Sequence, residues 1–234
     1  MFKFFTRALS VIVACSLLLS VEAMADNRDF AGIGRYAEAN KSLSVPAKGE
    51  KRVVFLGNSI TDFWINHSPE FFESNNYIDR GISGQTSYQF LLRFREDVIN
   101  LKPALVVINA DTNDVAENTC PFNLDVTFGN IVSMVELAKA NEIKVVLASV
   151  LPASVFSWNR NITDVADKIA ALNDRIKTYA AENHIPYVDY YSAMVSGPER
   201  SLDPRYTKDG VHPIKEGYKV MESLVHPVIQ KALK

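Results

Sequence analysis

Ser59 is the first residue in this chain whose type and position could support chemistry. It stands in the segment G-N-S-I-T at 57–61, three residues after Leu56, which ends a strongly apolar run. A serine hydroxyl becomes a nucleophile when a base lies within hydrogen-bond reach. Most serines in such a turn instead cap the following helix. Thr61 also occupies the second glycine position of a G-x-S-x-G elbow, so Ser59 alone is only a candidate.

The segment D-G-V-H-P at 209–213 could supply the missing base. Asp209 precedes His212 by three residues in a loop constrained by Gly210 and Pro213. A serine nucleophile needs an imidazole to take its proton, and the imidazole needs an acceptor on its other nitrogen to set its tautomer. In the alternative interpretation, Asp209 begins the last helix and His212 packs at the surface.

Two further residues could stabilise a negatively charged oxygen. Gly84, in G-I-S-G-Q, could offer an unshielded backbone N–H, and Asn113, in D-T-N-D, could offer its amide. Acyl transfer requires donors that already point to where this charge develops. Each residue also has a simpler interpretation, Gly84 as a turn former and Asn113 as a loop residue that bonds its own backbone.

The elements around these residues predict an α/β protein with a parallel sheet. Short apolar segments alternate with helical patterns, which implies right-handed crossovers and helices on both faces. The predicted strands are 53–56, 77–78, 104–108, 144–149 and 187–188, and the predicted helices are 88–99, 124–140, 165–181 and 214–232. The segments that contain Ser59, Gly84 and Asn113 follow strands, at the edge where such sheets bind ligands.

Together, these four segments resemble the conserved blocks of the SGNH (GDSL-like) hydrolase family, over roughly residues 53–213. The resemblance implies a flavodoxin-like three-layer α/β/α sandwich with about five parallel strands. It also implies that Ser59 is the nucleophile, His212 the general base and then the general acid, and Asp209 the residue that orients His212. The oxyanion hole would consist of the Ser59 N–H, the Gly84 N–H and the Asn113 side chain.

The chain departs from the family pattern at two positions. Asn58 stands where the family often has aspartate, and Asp111 stands where the third block usually has glycine. We expect the first change to have little effect, since asparagine makes similar turn hydrogen bonds. A carboxylate two residues from Asn113 is expected to oppose the oxyanion. On that basis Asp111→Gly should raise kcat/KM by roughly tenfold or more, and Asp111→Asn only in part.

The first 25 residues predict a signal peptide. Two basic residues precede an apolar run at 8–21, which ends in Ala23-Met24-Ala25. This run is shorter than the roughly 20 residues that a membrane span needs. Residues 26–234 are then expected to form one domain, periplasmic or secreted. Processing at Cys15 as a lipoprotein is the weaker alternative.

The expected mature chain excludes some classes of partner. Cleavage removes Lys3, Arg7 and Glu22 and leaves 23 basic and 26 acidic residues, so the net charge is 23 − 26 = −3. We therefore expect no nucleic-acid partner. Cys120 is the one cysteine left, so no internal disulfide is expected. The histidines outside the 209–213 segment are scattered, and we expect no metal and no cofactor.

These observations predict an extracytoplasmic esterase that acts on small-molecule or glycan esters, with acetyl or other short acyl groups on carbohydrates preferred. One alternative is a lipid or thioester acylhydrolase, similar to a lysophospholipase. Another is a weakly active relative that binds glycans, in which Asp111 would indicate the loss of hydrolase activity. Trp64 and Trp158 follow two strands, where they could line the crevice or pack in the core. The sequence determines neither the acyl length and alcohol nor the oligomeric state.

Overall fold

The computed structural model describes residues 29–234, and its centre is a five-stranded parallel sheet. The spatial order of the strands is β2-β1-β3-β4-β5. The strands are β1 (Val53–Gly57), β2 (Tyr77–Gly81), β3 (Leu105–Asn109), β4 (Lys144–Ala148) and β5 (Tyr187–Val188). A separate antiparallel pair consists of β6 (Val195–Ser196) and β7 (Ser201–Leu202). The signal peptide and the Cys15 lipid site predicted above lie outside the described residues.

Ten α-helices connect and cover the strands within residues 29–234. They are α1 (Ala37–Ser42), α2 (Ser59–Asp62), α3 (Trp64–His67), α4 (Pro69–Asn75), α5 (Ser87–Asp97), α6 (Thr112–Val115), α7 (Leu124–Ala140), α8 (Val165–Glu182), α9 (Tyr190–Met194) and α10 (Lys215–Ala232). None of these helices is long and apolar enough to span a bilayer.

Alternate residues of the buried strands form two hydrophobic cores, one on each face of the sheet. On one face, residues such as Leu56 and Ile108 pack against α5, α7 and α8. On the other face, residues such as Phe55 and Val107 pack against α3, α4 and α10. Burial of both faces explains why the strands read as apolar runs. The predicted three-layer α/β/α sandwich is confirmed.

The long helices match the predicted ranges closely, whereas β2 extends beyond its prediction. Its last three residues include Asp79 and Arg80, which are buried although they are polar. Hydrophobic patterning does not detect such a strand end. The polar segment before β1 also carries a helix, α1, that was not predicted.

Trp64 belongs to the core and does not line the crevice. Its side chain is fully buried, and its ring stacks on Phe71 at 5.5 Å between centroids. Its indole N–H donates to Glu222 Oε1 at 3.0 Å. Of the two interpretations left open for this tryptophan, core packing is the correct one.

Candidate active site

The turn after β1 presents Ser59 at the carboxyl edge of the sheet, between β2 and β3. Ser59 is the first residue of α2, and the cap of this helix is the Asn58 side chain, whose Oδ1 accepts from Ile60 N at 3.0 Å. The serine hydroxyl is therefore not used for capping. A Cβ at Gly57 would lie 2.1 Å from Thr61 Oγ1, so glycine lets α2 fold closely against the strand.

The structure brings Ser59, His212 and Asp209 into one hydrogen-bonded series. Ser59 Oγ lies 2.9 Å from His212 Nε2, and His212 Nδ1 lies 2.7 Å from Asp209 Oδ2. A carboxylate only accepts hydrogen bonds, so Nδ1 carries the hydrogen and Nε2 is free to accept the serine proton. This is the arrangement that a serine nucleophile, its base and an orienting carboxylate require. Their catalytic roles stay a prediction.

Asp209 is held as a carboxylate by the loop around it. Burial alone would raise its pKa, but hydrogen bonds from the His212 side chain and from the backbone N–H groups of His212 and Val211 outweigh it, and the pKa falls to about 2. These two N–H groups donate to Oδ1 at 2.8 and 2.9 Å, which leaves Oδ2 for the imidazole.

Thr207 closes this loop, and the sequence reasoning missed it. Its hydroxyl donates to Asp209 Oδ1 at 3.1 Å and accepts from Gly210 N at 3.0 Å. Thr207 also forms an isolated antiparallel bridge with Pro213. The T-x-D spacing is a local signal for such a turn. The loop therefore sets the orientation of Asp209 before any substrate binds.

The three predicted oxyanion donors follow the neighbouring strands β1, β2 and β3. Within residues 29–234, neither the Ser59 N–H nor the Gly84 N–H donates a hydrogen bond. Gly84 has a φ of +80°, which favours glycine. Asn113 Nδ2 donates to Gln85 O at 2.9 Å, across to the loop that carries Gly84. An amide nitrogen has two hydrogens, so one remains for a ligand. The oxyanion role of the three groups stays a prediction.

Arg93 braces the ends of the strands behind this site. Its side chain is fully buried and paired with Asp97 at 2.9 Å. It also donates to Gly57 O at 3.0 Å, Arg80 O at 2.9 Å and Gln85 Oε1 at 2.6 Å. The Arg93 guanidinium thus joins the ends of β1 and β2 to the Gly84 loop. The apolar periodicity of the sequence does not predict this role.

Asp111 is fully buried, and its effect on the oxyanion stays a prediction. Its side chain has no exposed surface, and its polar neighbours include the Asn58 amide and the Asp114 carboxyl. Neither carboxyl oxygen makes a hydrogen bond of good geometry within residues 29–234. Burial, with the charge of Asp114 as the next cause, holds the pKa of Asp111 well above its ordinary value of 3.8. The two departures from the family pattern, Asn58 and Asp111, are therefore neighbours.

Two exposed aromatic rings flank His212. The Phe63 ring lies 5.5 Å from the imidazole and the Trp158 ring lies 6.3 Å from it, measured between centroids. Trp158 is 46% exposed. Its indole N–H donates to Asn118 Oδ1 at 3.0 Å. Trp158 thus lies where the sequence predicted a crevice-lining tryptophan, and Phe63 was not anticipated. Residues 29–234 contain no cluster of His, Cys, Asp or Glu that could hold a metal ion.

The fold and this arrangement together define a class, the α/β ester hydrolases that carry serine, histidine and aspartate at the carboxyl edge of a parallel sheet. The model of the GDSL-like lipase/acylhydrolase family matches residues 55–220, and the chain belongs to this family. It is a carboxylic ester hydrolase.

Solved structures support this assignment. A proposed acylhydrolase from Bacteroides fragilis is 64% identical, with a TM-score of 0.88 over 88% of this chain and 100% of the other. A GDSL-like lipase from Bacteroides thetaiotaomicron is 63% identical, with a TM-score of 0.86 over 87% of this chain and 100% of the other. An acetylxylan esterase from Geobacillus stearothermophilus shares the fold at 20% identity, with a TM-score of 0.62 over 80% and 96%. No curated protein matches the sequence.

Proposed function

We propose that this chain is an exported serine esterase that removes acetyl or other short acyl groups from carbohydrates through an acyl-enzyme on Ser59. The observation that carries the proposal is the series of two short hydrogen bonds from Ser59 Oγ through His212 to Asp209. Export, after cleavage behind Ala25, rests on the sequence pattern of the first 25 residues. N-terminal sequencing of the mature protein tests it, and an intact Met1 would contradict it.

The geometry supports a two-step mechanism. Ser59 Oγ attacks the ester carbonyl while its proton moves to His212 Nε2, and the carbonyl oxygen becomes an oxyanion. The alcohol then leaves with the proton from Nε2, and the acyl group remains on Ser59. Water attacks this acyl-enzyme, its proton passes to His212, and the acid is released with the proton returned to Ser59. Asp209 stabilises the imidazolium in both steps. The Ser59 N–H, Gly84 N–H and Asn113 amide stabilise the oxyanion.

Two observations favour a carbohydrate as the alcohol. Phe63 and Trp158 expose apolar rings beside His212, and such rings pack against sugar faces while leaving the hydroxyl groups in water. The structural neighbour from Geobacillus stearothermophilus acts on acetylated xylan. The hydrogen-bonded series of Ser59, His212 and Asp209 argues against a relative that only binds sugars, because binding alone does not need it.

A lipid acylhydrolase is the second candidate. The relative from Bacteroides thetaiotaomicron is described as a lipase, and Phe63 and Ile65 expose apolar surface at the end of α2 and in α3. Such a surface could hold a longer acyl chain instead of a sugar.

Hydrolysis of p-nitrophenyl acetate, butyrate and octanoate, together with acetate release from acetylated xylo-oligosaccharides, tests both candidates. We expect the acetyl ester to be fastest and acetate release to be efficient. Ser59→Ala should abolish hydrolysis, and Ser223→Ala, which alters an exposed serine on α10, is the matched control. The octanoyl ester as the best substrate would favour the lipid candidate. A Ser59→Ala variant that keeps most of its activity would overturn the mechanism.

The acyl-enzyme has its own test. Mass spectrometry of protein quenched during turnover of p-nitrophenyl acetate should find one acetyl group on the peptide that contains Ser59. The same peptide from Ser59→Ala should carry none. Acetylation that persists in this variant would contradict the assignment of the nucleophile.

A further inference from the structure

Asn118 lies three residues beyond the end of α6 and joins three parts of the site. Its side-chain Nδ2 donates to Gly84 O at 3.2 Å, and its backbone N–H donates to Asn113 O at 3.1 Å. Its Oδ1 accepts from Trp158 Nε1 at 3.0 Å. One exposed asparagine thus contacts both loops that carry predicted oxyanion donors, as well as a ring beside His212.

Gly84 depends on few other contacts. It is exposed, and no side chain lies within 4 Å of where its Cβ would be. The preceding residue, Ser83, is held through its N–H and hydroxyl by Asp62 Oδ2, at 3.2 and 2.6 Å. On the other side, the Gly84 carbonyl has the Asn118 amide as its one partner among the described residues. The two side chains therefore clamp Gly84 from either side.

We propose that Asn118 is a positioning residue for ester hydrolysis: its amide holds Gly84 with the backbone N–H facing the oxyanion, and the Trp158 indole N–H orients that amide. The inference rests on the proposed function, because it concerns the same oxyanion. Asn118 contacts no reacting atom. It acts through Gly84. The hydrogen bond from its backbone N–H to Asn113 O fixes the position of the Asn113 donor relative to the Gly84 donor.

The chemistry requires such a clamp because oxyanion donors stabilise the transition state only when they are aimed in advance. Loss of one donor costs roughly 10²- to 10³-fold in kcat. Loss of the clamp leaves the donor present but mobile, so we expect a smaller effect of about tenfold. KM should change little, because the ground-state carbonyl uses these donors less than the oxyanion does.

The test compares four variants by kcat and KM on p-nitrophenyl acetate. Asn118→Ala removes the clamp, and Trp158→Phe removes the indole N–H while keeping an aromatic ring. The third variant combines the two changes. Asn141→Ala is the matched control, since its exposed amide also donates to a backbone carbonyl, Leu137 O at 2.7 Å, but at the opposite edge of the sheet.

We expect kcat to fall about tenfold in Asn118→Ala and about threefold in Trp158→Phe, with KM within about twofold of wild type. The double variant should be no slower than Asn118→Ala, because the indole acts through the asparagine. A boronic acid, whose adduct on Ser59 copies the tetrahedral intermediate, should inhibit Asn118→Ala about tenfold less strongly. Asn141→Ala should match wild type.

The inference and the proposed function fail in different ways. If wild type hydrolyses none of the esters, the proposed function is wrong. If wild type is active and folded Asn118→Ala keeps its kcat, the clamp is wrong. Strictly additive losses in the double variant would also overturn it, because Trp158 would then act independently. Trp158→Phe keeps an aromatic ring at an exposed position, so an unchanged kcat and unchanged boronic acid inhibition in this variant would overturn the role of the indole N–H even if Asn118→Ala unfolds.

Discussion

Asp111→Asn is expected to stabilise the protein more strongly as the pH rises. The Asp111 carboxyl is fully buried, and its oxygens have no well-formed hydrogen bond within residues 29–234. Burial and then the charge of Asp114 raise its pKa well above 3.8. Asparagine has nearly the same shape but cannot ionise. The variant therefore removes the cost of a buried charge without opening a cavity.

The sign of the pH dependence follows from whether the folded or the unfolded protein binds the Asp111 proton more tightly. Because the folded-state pKa is the higher one, the folded protein binds this proton more strongly than the unfolded chain does. The free energy of unfolding of wild type therefore decreases as pH rises from about 4 towards the folded pKa. The variant lacks this dependence. Each pH unit inside that window adds up to about 1.4 kcal/mol to the difference in stability between the variant and wild type.

Urea unfolding of both proteins at several pH values between 4.5 and 6.5 measures this difference. Asp174→Asn provides the matched control, since it makes the same chemical change at an exposed position on α8. The activity should change less than about threefold, because the carboxyl has no exposed surface that a substrate could contact. A stability difference that stays constant with pH would refute the reasoning. A tenfold gain in kcat/KM for Asp111→Gly would restore the original expectation that this charge opposes the oxyanion.

Three further predictions concern other polar groups. Asn113→Ala should lower kcat by roughly 10²- to 10³-fold with the fold intact, and an unchanged kcat would exclude it from the site. Asp209→Asn should lower kcat by roughly 10³- to 10⁴-fold, because an amide facing Nδ1 favours the wrong tautomer; activity near wild type would disprove the orienting role. The stability of Asp79→Asn relative to wild type should increase by up to about 4 kcal/mol from pH 4 to pH 8, because burial raises the pKa of Asp79 to about 7. A urea midpoint that shifts equally at both pH values would contradict the last prediction.

The local pattern of the sequence was enough to predict the framework of the fold. Apolar runs buried on both faces identified the strands, and helical spacing identified α7, α8 and α10, because both periodicities depend on neighbours along the chain. The alternation of these elements then implied a parallel sheet. Ser59, Gly84 and Asn113 could be found as well, since they follow strands whose carboxyl ends share one edge.

The tertiary structure decided the environment of each residue. Asp111 and Asn113 are two residues apart and both are buried, yet among residues 29–234 the Asp111 carboxyl has no hydrogen-bond partner, whereas the Asn113 amide donates to Gln85 O in the Gly84 loop. Of the two tryptophans, Trp64 lies in the core and Trp158 beside His212. The contacts of Asn118 join loops separated by more than thirty residues. Burial, pKa and orientation all depend on which elements pack together, and the sequence around a residue does not contain that information.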